Sequence, residues 1–149
     1  NLSHSAIVNA YPCQPETARE NQLGAGAHTD WGLITLLLQD EVGGLEVRNA
    51  DGEWLKAPFI ENTFVVNLGD MVPVLTNGLY HSTMHRVLNT SKEKARYSLP
   101  TFFDLDYYYE ASVVPTLREE GKSYPAPITV GGHIAAMFDK TFGVEKASA

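Results

Sequence analysis

Short apolar runs followed by turn-forming residues recur along most of this chain and restrict the folds that it can adopt. The runs at 33–38 and 64–68 end at polar or glycine residues, and Asp51–Gly52 is a strong signal for a hairpin turn. Apolar residues recur at a helical spacing at 134–142. The sequence therefore predicts an all-β fold, with a closed or double-sheet architecture, a short helical turn and a C-terminal helix.

Length and charge narrow the possible classes of protein. A chain of 149 residues suits one domain with its own core. The net charge is −7 and the basic residues are scattered, so nucleic acid is an unsuitable partner. The longest apolar run, 33–38, is too short to span a membrane. Cys13, the only cysteine, cannot form an internal disulfide, which favours a cytoplasmic location. The oligomeric state is left open.

The segment His28-Thr29-Asp30 lies in a strand-like, apolar neighbourhood. Residues two apart on a strand point to the same face, so the imidazole of His28 and the carboxylate of Asp30 converge. Such a pair suits a borderline divalent metal, and a second histidine would complete a three-ligand face with open positions. His81 and His85 both qualify, and their spacing does not distinguish them. The alternative to a metal site is a surface turn in which Asp30 accepts a hydrogen bond from a backbone amide and His28 is solvated.

A second group of polar residues follows at Arg96-Tyr97-Ser98. Arg96 and Ser98 share one strand face, and a planar guanidinium beside a hydroxyl forms a receptor for a carboxylate. Phe102 continues the same face, which places an aromatic ring beside the proposed metal. The alternative is that Phe102 fills the core and that Phe103 faces the pocket.

Three further predictions concern local structure. Residues 2–12 are predicted to form one strand, with Asn9 and Tyr11 on a shared face. Asp70 is predicted to cap a short helix at 71–75. His133 is predicted to be a surface or capping residue and not a metal ligand.

Three ordered motifs carry a resemblance to a known family. They are His-Thr-Asp at 28–30, Asn-Gly-x-Tyr-x-Ser-x-x-His-Arg-Val at 77–87 and Arg-x-Ser at 96–98. Together they resemble the C-terminal catalytic domain of the Fe(II)/2-oxoglutarate-dependent dioxygenases, especially the branch that contains isopenicillin N synthase, anthocyanidin synthase and the ethylene-forming enzymes. The resemblance extends from about Ile7 to Phe142. It selects His85 over His81, because the family's ligand precedes Arg-Val.

The resemblance implies a double-stranded β-helix, a form of jelly roll. It also implies that residues 1–149 form a single catalytic domain, which in the family follows a largely helical N-terminal half. The implied site comprises Fe(II) ligands His28, Asp30 and His85, 2-oxoglutarate contacts Arg96, Ser98, Tyr11 and Asn9, and substrate-pocket residues Trp31 and Phe102.

The implied activity is oxidative decarboxylation of 2-oxoglutarate to succinate and CO2, coupled to hydroxylation, desaturation or cyclisation of a small organic substrate by dioxygen at a non-haem Fe(II). Two alternatives stay open. One is an oxidase similar to isopenicillin N synthase, in which Arg96 and Ser98 hold the substrate's own carboxylate. The other is a catalytically inert metal-binding β-barrel. The sequence does not identify the primary substrate.

Overall fold

The computed structural model describes residues 2–19, 22–89 and 91–143. The predicted domain 1–149 is therefore described except for residues 1, 20–21, 90 and 144–149. The strands are β1 (Leu2–Ala6), β2 (Asn9–Tyr11), β3 (Ala25–His28), β4 (Ile34–Gln39), β5 (Leu45–Arg48), β6 (Trp54–Ala57), β7 (Val65–Leu68), β8 (His85–Val87), β9 (Arg96–Leu105), β10 (Glu110–Ala111) and β11 (Ile128–Thr129). The helices are α1 (Met71–Leu75) and α2 (Val130–Phe142), with a 3₁₀ turn at Pro115–Leu117.

Two antiparallel sheets form the body of the described fold. One has the order β1-β9-β4-β7, with β2 also paired to β9, and the other has the order β3-β8-β5-β6. Leu37 of the first sheet packs against Leu45 and Val87 of the second, which places a hydrophobic core between the sheets. This arrangement confirms the predicted all-β, jelly-roll architecture. The hairpin predicted around Asp51–Gly52 is present between β5 and β6.

Alternation along β4 explains how the interior is filled. Thr35, Leu37 and Gln39 are buried, whereas Leu38 is 41% exposed on the opposite face. The inward face of this strand thus carries two polar side chains beside one leucine. Polar groups that are buried in this way require hydrogen-bonding partners or a polar cavity.

The segment 2–12 differs from the prediction of one continuous strand. It forms β1 and β2, which both pair with β9 in a single register, Ala6 opposite Thr101 and Asn9 opposite Ser98. The interruption lies opposite Pro100, which accepts a hydrogen bond from the backbone N–H of Ile7 but has no N–H to donate. Because the register is unbroken, Asn9 and Tyr11 still share the inward face.

The two helices contribute to a second hydrophobic cluster. Met71 of α1, Ala111 of β10 and Val130 of α2 are fully buried in it. Asp70 lies at the predicted N-cap position of α1, but its side chain makes no capping hydrogen bond to a described backbone amide. Its Oδ2 instead lies 3.1 Å from Nε2 of His133, which is half-buried on α2 and not a free surface residue. This pair connects the start of α1 to α2.

Among the described helices none has the length and apolarity to cross a membrane.

Candidate active site

Two adjacent strands bring the first polar group together. His28 ends β3, His85 begins β8, and the two residues are direct partners in the antiparallel pair. Asp30 follows β3 by two residues. One possible ligand atom from each of the three residues lies within 4.8 Å of the other two, and Nε2 of His85 is 3.6 Å from Oδ1 of Asp30. The exposed His81 is not part of this group.

Hydrogen bonds orient each member of this group. Nδ1 of His28 lies 2.7 Å from the carbonyl oxygen of Gly26, and Nδ1 of His85 lies 3.1 Å from that of Thr83. Because a carbonyl oxygen only accepts, each Nδ1 carries the proton and each Nε2 keeps its lone pair. The donor set is therefore two imidazole nitrogens and one carboxylate. This set fits Fe(II), which two histidines and one carboxylate hold on one face while other positions stay open.

The environment also affects the charge of His85. Burial lowers the pKa of His85 below its usual 6.5, and the nearby carboxylate of Asp30 opposes this shift only in part. The neutral imidazole, which is the form that binds metals, is thereby favoured.

Asn67 is a further polar residue that the sequence analysis did not identify. Its Nδ2 donates to Oδ2 of Asp30 over 3.4 Å, whereas His85 approaches Oδ1, so Asn67 helps to orient the carboxylate through its other oxygen. A signal was present in the sequence, since Asn67 interrupts the apolar run 64–68. A polar residue on an inward strand face needs a partner there.

The second polar group surrounds a buried cation. Arg96 is fully buried and donates to the carbonyl oxygen of Gly43, to Oγ of Ser98 at 3.1 Å and to Oε1 of Gln39 at 3.4 Å. Its guanidinium carbon also lies 5.0 Å from the ring centroid of Tyr11. Burial lowers the pKa of Arg96 from its usual range.

The hydrogen-bonding partners of Arg96 are all neutral, and it forms no ion pair within the described ranges; the more distant carboxylate of Asp40 opposes the effect of burial on its pKa only in part. A buried guanidinium without an anion in hydrogen-bonding contact favours an incoming carboxylate, which it can bind through two hydrogen bonds. Gln39 was not identified from the sequence, because its approach to Arg96 depends on the pairing of β4 with β9.

A cavity of about 310 Å³ connects the two groups. His28, Asp30 and His85 lie on its wall, as do Arg96 and Ser98. Asn9 and Tyr11 line it as well, because they are the cross-strand partners of Ser98 and Arg96. All seven residues that were predicted for metal and 2-oxoglutarate binding thus surround one cavity.

A second cavity, of about 650 Å³, adjoins the first and shares His28, Asp30 and Phe102 with it. Trp31 also lines this second cavity. The two predicted substrate-pocket residues are therefore near the candidate metal ligands. Phe103 lines neither cavity and stacks on His4, with ring centroids 6.3 Å apart.

Comparison with known proteins gives a consistent result. The family model of the 2OG-Fe(II) oxygenase superfamily matches residues 3–105. The chain is 41% identical over 141 residues to the 2-oxoglutarate-Fe(II) type oxidoreductase hxnY of Emericella nidulans, covering 92% of this chain and 40% of the relative. It is 51% identical over 89 residues to a homoarginine-6-hydroxylase of Glycine max, covering 59% of this chain and 27% of the relative.

Solved structures agree with this result. A full-length Neurospora crassa protein in complex with alpha-KG superposes with a TM-score of 0.84 at 31% identity, covering 93% of this chain and 45% of that one. The chain therefore spans less than half the length of these three proteins.

Proposed function

Because the chain belongs to the 2OG-Fe(II) oxygenase superfamily, we propose that residues 1–149 form the catalytic domain of a non-haem Fe(II) enzyme. The enzyme couples decarboxylation of 2-oxoglutarate to succinate and CO2 with oxidation of a small organic substrate by dioxygen. The family match confirms the predicted cofactors, Fe(II) and 2-oxoglutarate. One observation supports the activity most directly: a two-histidine, one-carboxylate group and a fully buried arginine line the same cavity.

In this proposal His28, Asp30 and His85 hold Fe(II) through two Nε2 atoms and a carboxylate oxygen. The backbone carbonyls that bind Nδ1 of each histidine keep the Nε2 lone pairs directed at the metal. Bound Fe(II) supplies the redox chemistry with dioxygen that protein side chains lack.

Arg96 and Ser98 hold the distal carboxylate of 2-oxoglutarate. The buried guanidinium provides a fixed positive charge, and the neighbouring hydroxyl adds a donor. Tyr11 and Asn9 close the cavity from β2 and exclude water around the cosubstrate. An oxidase that uses no 2-oxoglutarate would place a substrate carboxylate at the same position, so turnover without 2-oxoglutarate is the result that distinguishes it.

The test separates binding from turnover. Anaerobic protein with Fe(II) should gain a visible charge-transfer absorbance only when 2-oxoglutarate is added, and admission of oxygen should then yield succinate and CO2. Homoarginine, the substrate in the name of the Glycine max relative, is a suitable first compound for stimulating turnover. Absorbance without succinate would indicate an inert metal-binding barrel, and substrate oxidation without 2-oxoglutarate would indicate the oxidase. A cytoplasmic location stays a prediction, which cell fractionation can check.

A further inference from the structure

The second cavity is bounded by strands on one side and by α2 on the other. Trp31 and Phe102 contribute aromatic rings from the strand side, and Ile134 and Met137 contribute apolar side chains from α2. Since two of the candidate metal ligands also line this cavity, a molecule inside it would lie beside a metal held by them. Its mostly apolar walls suit a molecule with a hydrocarbon body.

Asp104 introduces a carboxylate into this apolar cavity. It lies on the same face of β9 as Arg96 and Phe102, but beyond Phe102 and therefore away from the 2-oxoglutarate end. Its Oδ1 packs so closely on Gly32 that a Cβ placed there would lie 1.5 Å from it. The backbone N–H of Leu33, which donates to the carbonyl oxygen of Phe103, also lies close enough to the carboxylate to oppose the rise in its pKa in part.

The surroundings of Asp104 leave its charge uncompensated. The side chain is half-buried, and it forms no ion pair with any other residue in the described part of the chain. Burial raises the pKa of Asp104, and the carboxylate of Asp30 adds to this effect. A desolvated carboxylate of this kind is stabilised by a cation.

Lys140 is the other charged residue outside the metal site that lines the cavity. It lies in the last turn of α2 and is exposed, so water solvates its ammonium group. It therefore does not require an anionic partner. The charge that a ligand can compensate belongs to Asp104.

We propose that the second cavity binds the oxidised substrate, and that Asp104 pairs with an ammonium or guanidinium group on an otherwise apolar molecule. This assignment rests on the proposed function, because it takes the metal beside the cavity as the site of oxidation. It makes Asp104 a residue that determines substrate specificity, and it assigns a cationic class to the substrate.

Two probes with the same apolar body test the assignment. Calorimetric titration of the protein, without metal or 2-oxoglutarate, compares 3-phenylpropylammonium with the neutral 3-phenylpropanol. A charge-assisted hydrogen bond to Asp104 should make the ammonium probe bind about tenfold more tightly. Equal binding of the two probes, tighter binding of the alcohol, or no binding of either would overturn the proposal.

Three variants test whether Asp104 causes the preference for the ammonium probe over the alcohol. Asp104→Asn keeps the size of the side chain and one oxygen acceptor but removes the charge, so the preference for the ammonium probe should vanish. Asp104→Glu should retain it. Asp139→Asn makes the same charge change on an exposed residue of α2 that does not line the cavity, and should leave the preference unchanged. A preference that persists in Asp104→Asn would refute the role of Asp104.

The ratio of the two dissociation constants is unaffected by a fraction of unfolded protein, so a destabilised variant still gives an answer. The measurement is also independent of turnover. Consumption of 2-oxoglutarate without an ammonium preference would refute only the assignment of Asp104. An ammonium preference without any consumption of 2-oxoglutarate would instead refute the proposed function.

Discussion

The imidazole rings of His28 and His85 lie against each other, with ring centroids 4.3 Å apart, because these residues are direct partners across β3 and β8. Each ring is held through Nδ1 by the carbonyl oxygen two residues earlier in the chain, at Gly26 and at Thr83. Backbone pairing thus fixes two candidate ligands before any metal binds. Asp30 follows on the same chain segment, so the group is largely preorganised.

The first prediction concerns the metal ligands. His28→Ala, Asp30→Ala or His85→Ala should each lower Fe(II) affinity by more than about 100-fold, the upper range for loss of an outer-shell partner. Turnover of 2-oxoglutarate should be abolished. Calorimetric titration with Fe(II) under anaerobic conditions measures the affinity. His81→Ala is the matched control, because this exposed histidine precedes His85 in the same segment. A metal affinity that depends on His81 would contradict the assignment.

The second prediction concerns the buried cation. Arg96→Lys keeps the positive charge but loses the planar fork that binds a carboxylate through two hydrogen bonds. The half-saturating concentration of 2-oxoglutarate should rise about tenfold or more. Arg48→Lys, at the exposed end of β5, should leave it unchanged. Unchanged half-saturation in the Arg96 variant would show that the cosubstrate carboxylate binds elsewhere.

The third prediction concerns Asn67. Asn67→Leu removes the donor to Oδ2 of Asp30 and leaves that oxygen without its described hydrogen bond. Metal affinity should fall by about 10- to 100-fold, as is typical for loss of an outer partner of a ligand. Titration with Co(II) measures this without turnover. Val66→Ala, the exposed neighbour on the opposite face, is the control. Equal Co(II) affinities for Asn67→Leu and the unaltered protein would exclude a positioning role.

The alternation of side chains along a strand was sufficient to predict those parts of the site that lie on a single strand. The alternation of β9 correctly predicted that Arg96, Ser98 and Phe102 share a face, and all three line the first cavity. The two-residue spacing of His28 and Asp30 likewise predicted their convergence. The choice of His85 over His81 needed the family resemblance, because residues four apart on a strand point to the same face and their spacing does not distinguish them.

Contacts between strands distant in sequence were beyond prediction. Gln39 reaches Arg96 only because β4 pairs with β9, and Asn67 reaches Asp30 only because β7 is the next strand beyond β4. Asp70 shows the converse case. Its position before α1 favoured a local cap, but a partner 63 residues later in the sequence, His133, binds its carboxylate instead.

The fourth prediction concerns pH. The pKa of His85 is lowered below 6.5, so the folded, metal-free protein binds fewer protons than the unfolded chain as pH falls below 6.5. The contribution of His85 to stability is therefore fully present above pH 6.5 and is lost as pH falls toward its folded pKa. Thermal unfolding in the presence of a chelator should show this loss as a melting temperature that falls with decreasing pH. His85→Gln should reduce the slope of melting temperature against pH, and His81→Gln should leave this slope unchanged. Identical slopes in all three proteins would refute the prediction.

The fifth prediction concerns the attachment of α2, which forms one wall of the second cavity. His133→Ala removes the contact with Asp70 that connects α2 to the start of α1. A partly buried hydrogen bond contributes about 1 kcal/mol to stability. Its loss should therefore raise the equilibrium constant for local unfolding of α2 roughly fivefold. Amide hydrogen exchange should therefore accelerate in α2 but not in the central strand β9. Asp139→Asn, on the exposed part of the same helix, should leave both rates unchanged. Equal acceleration in α2 and β9 would indicate global destabilisation and would contradict a local role for this pair.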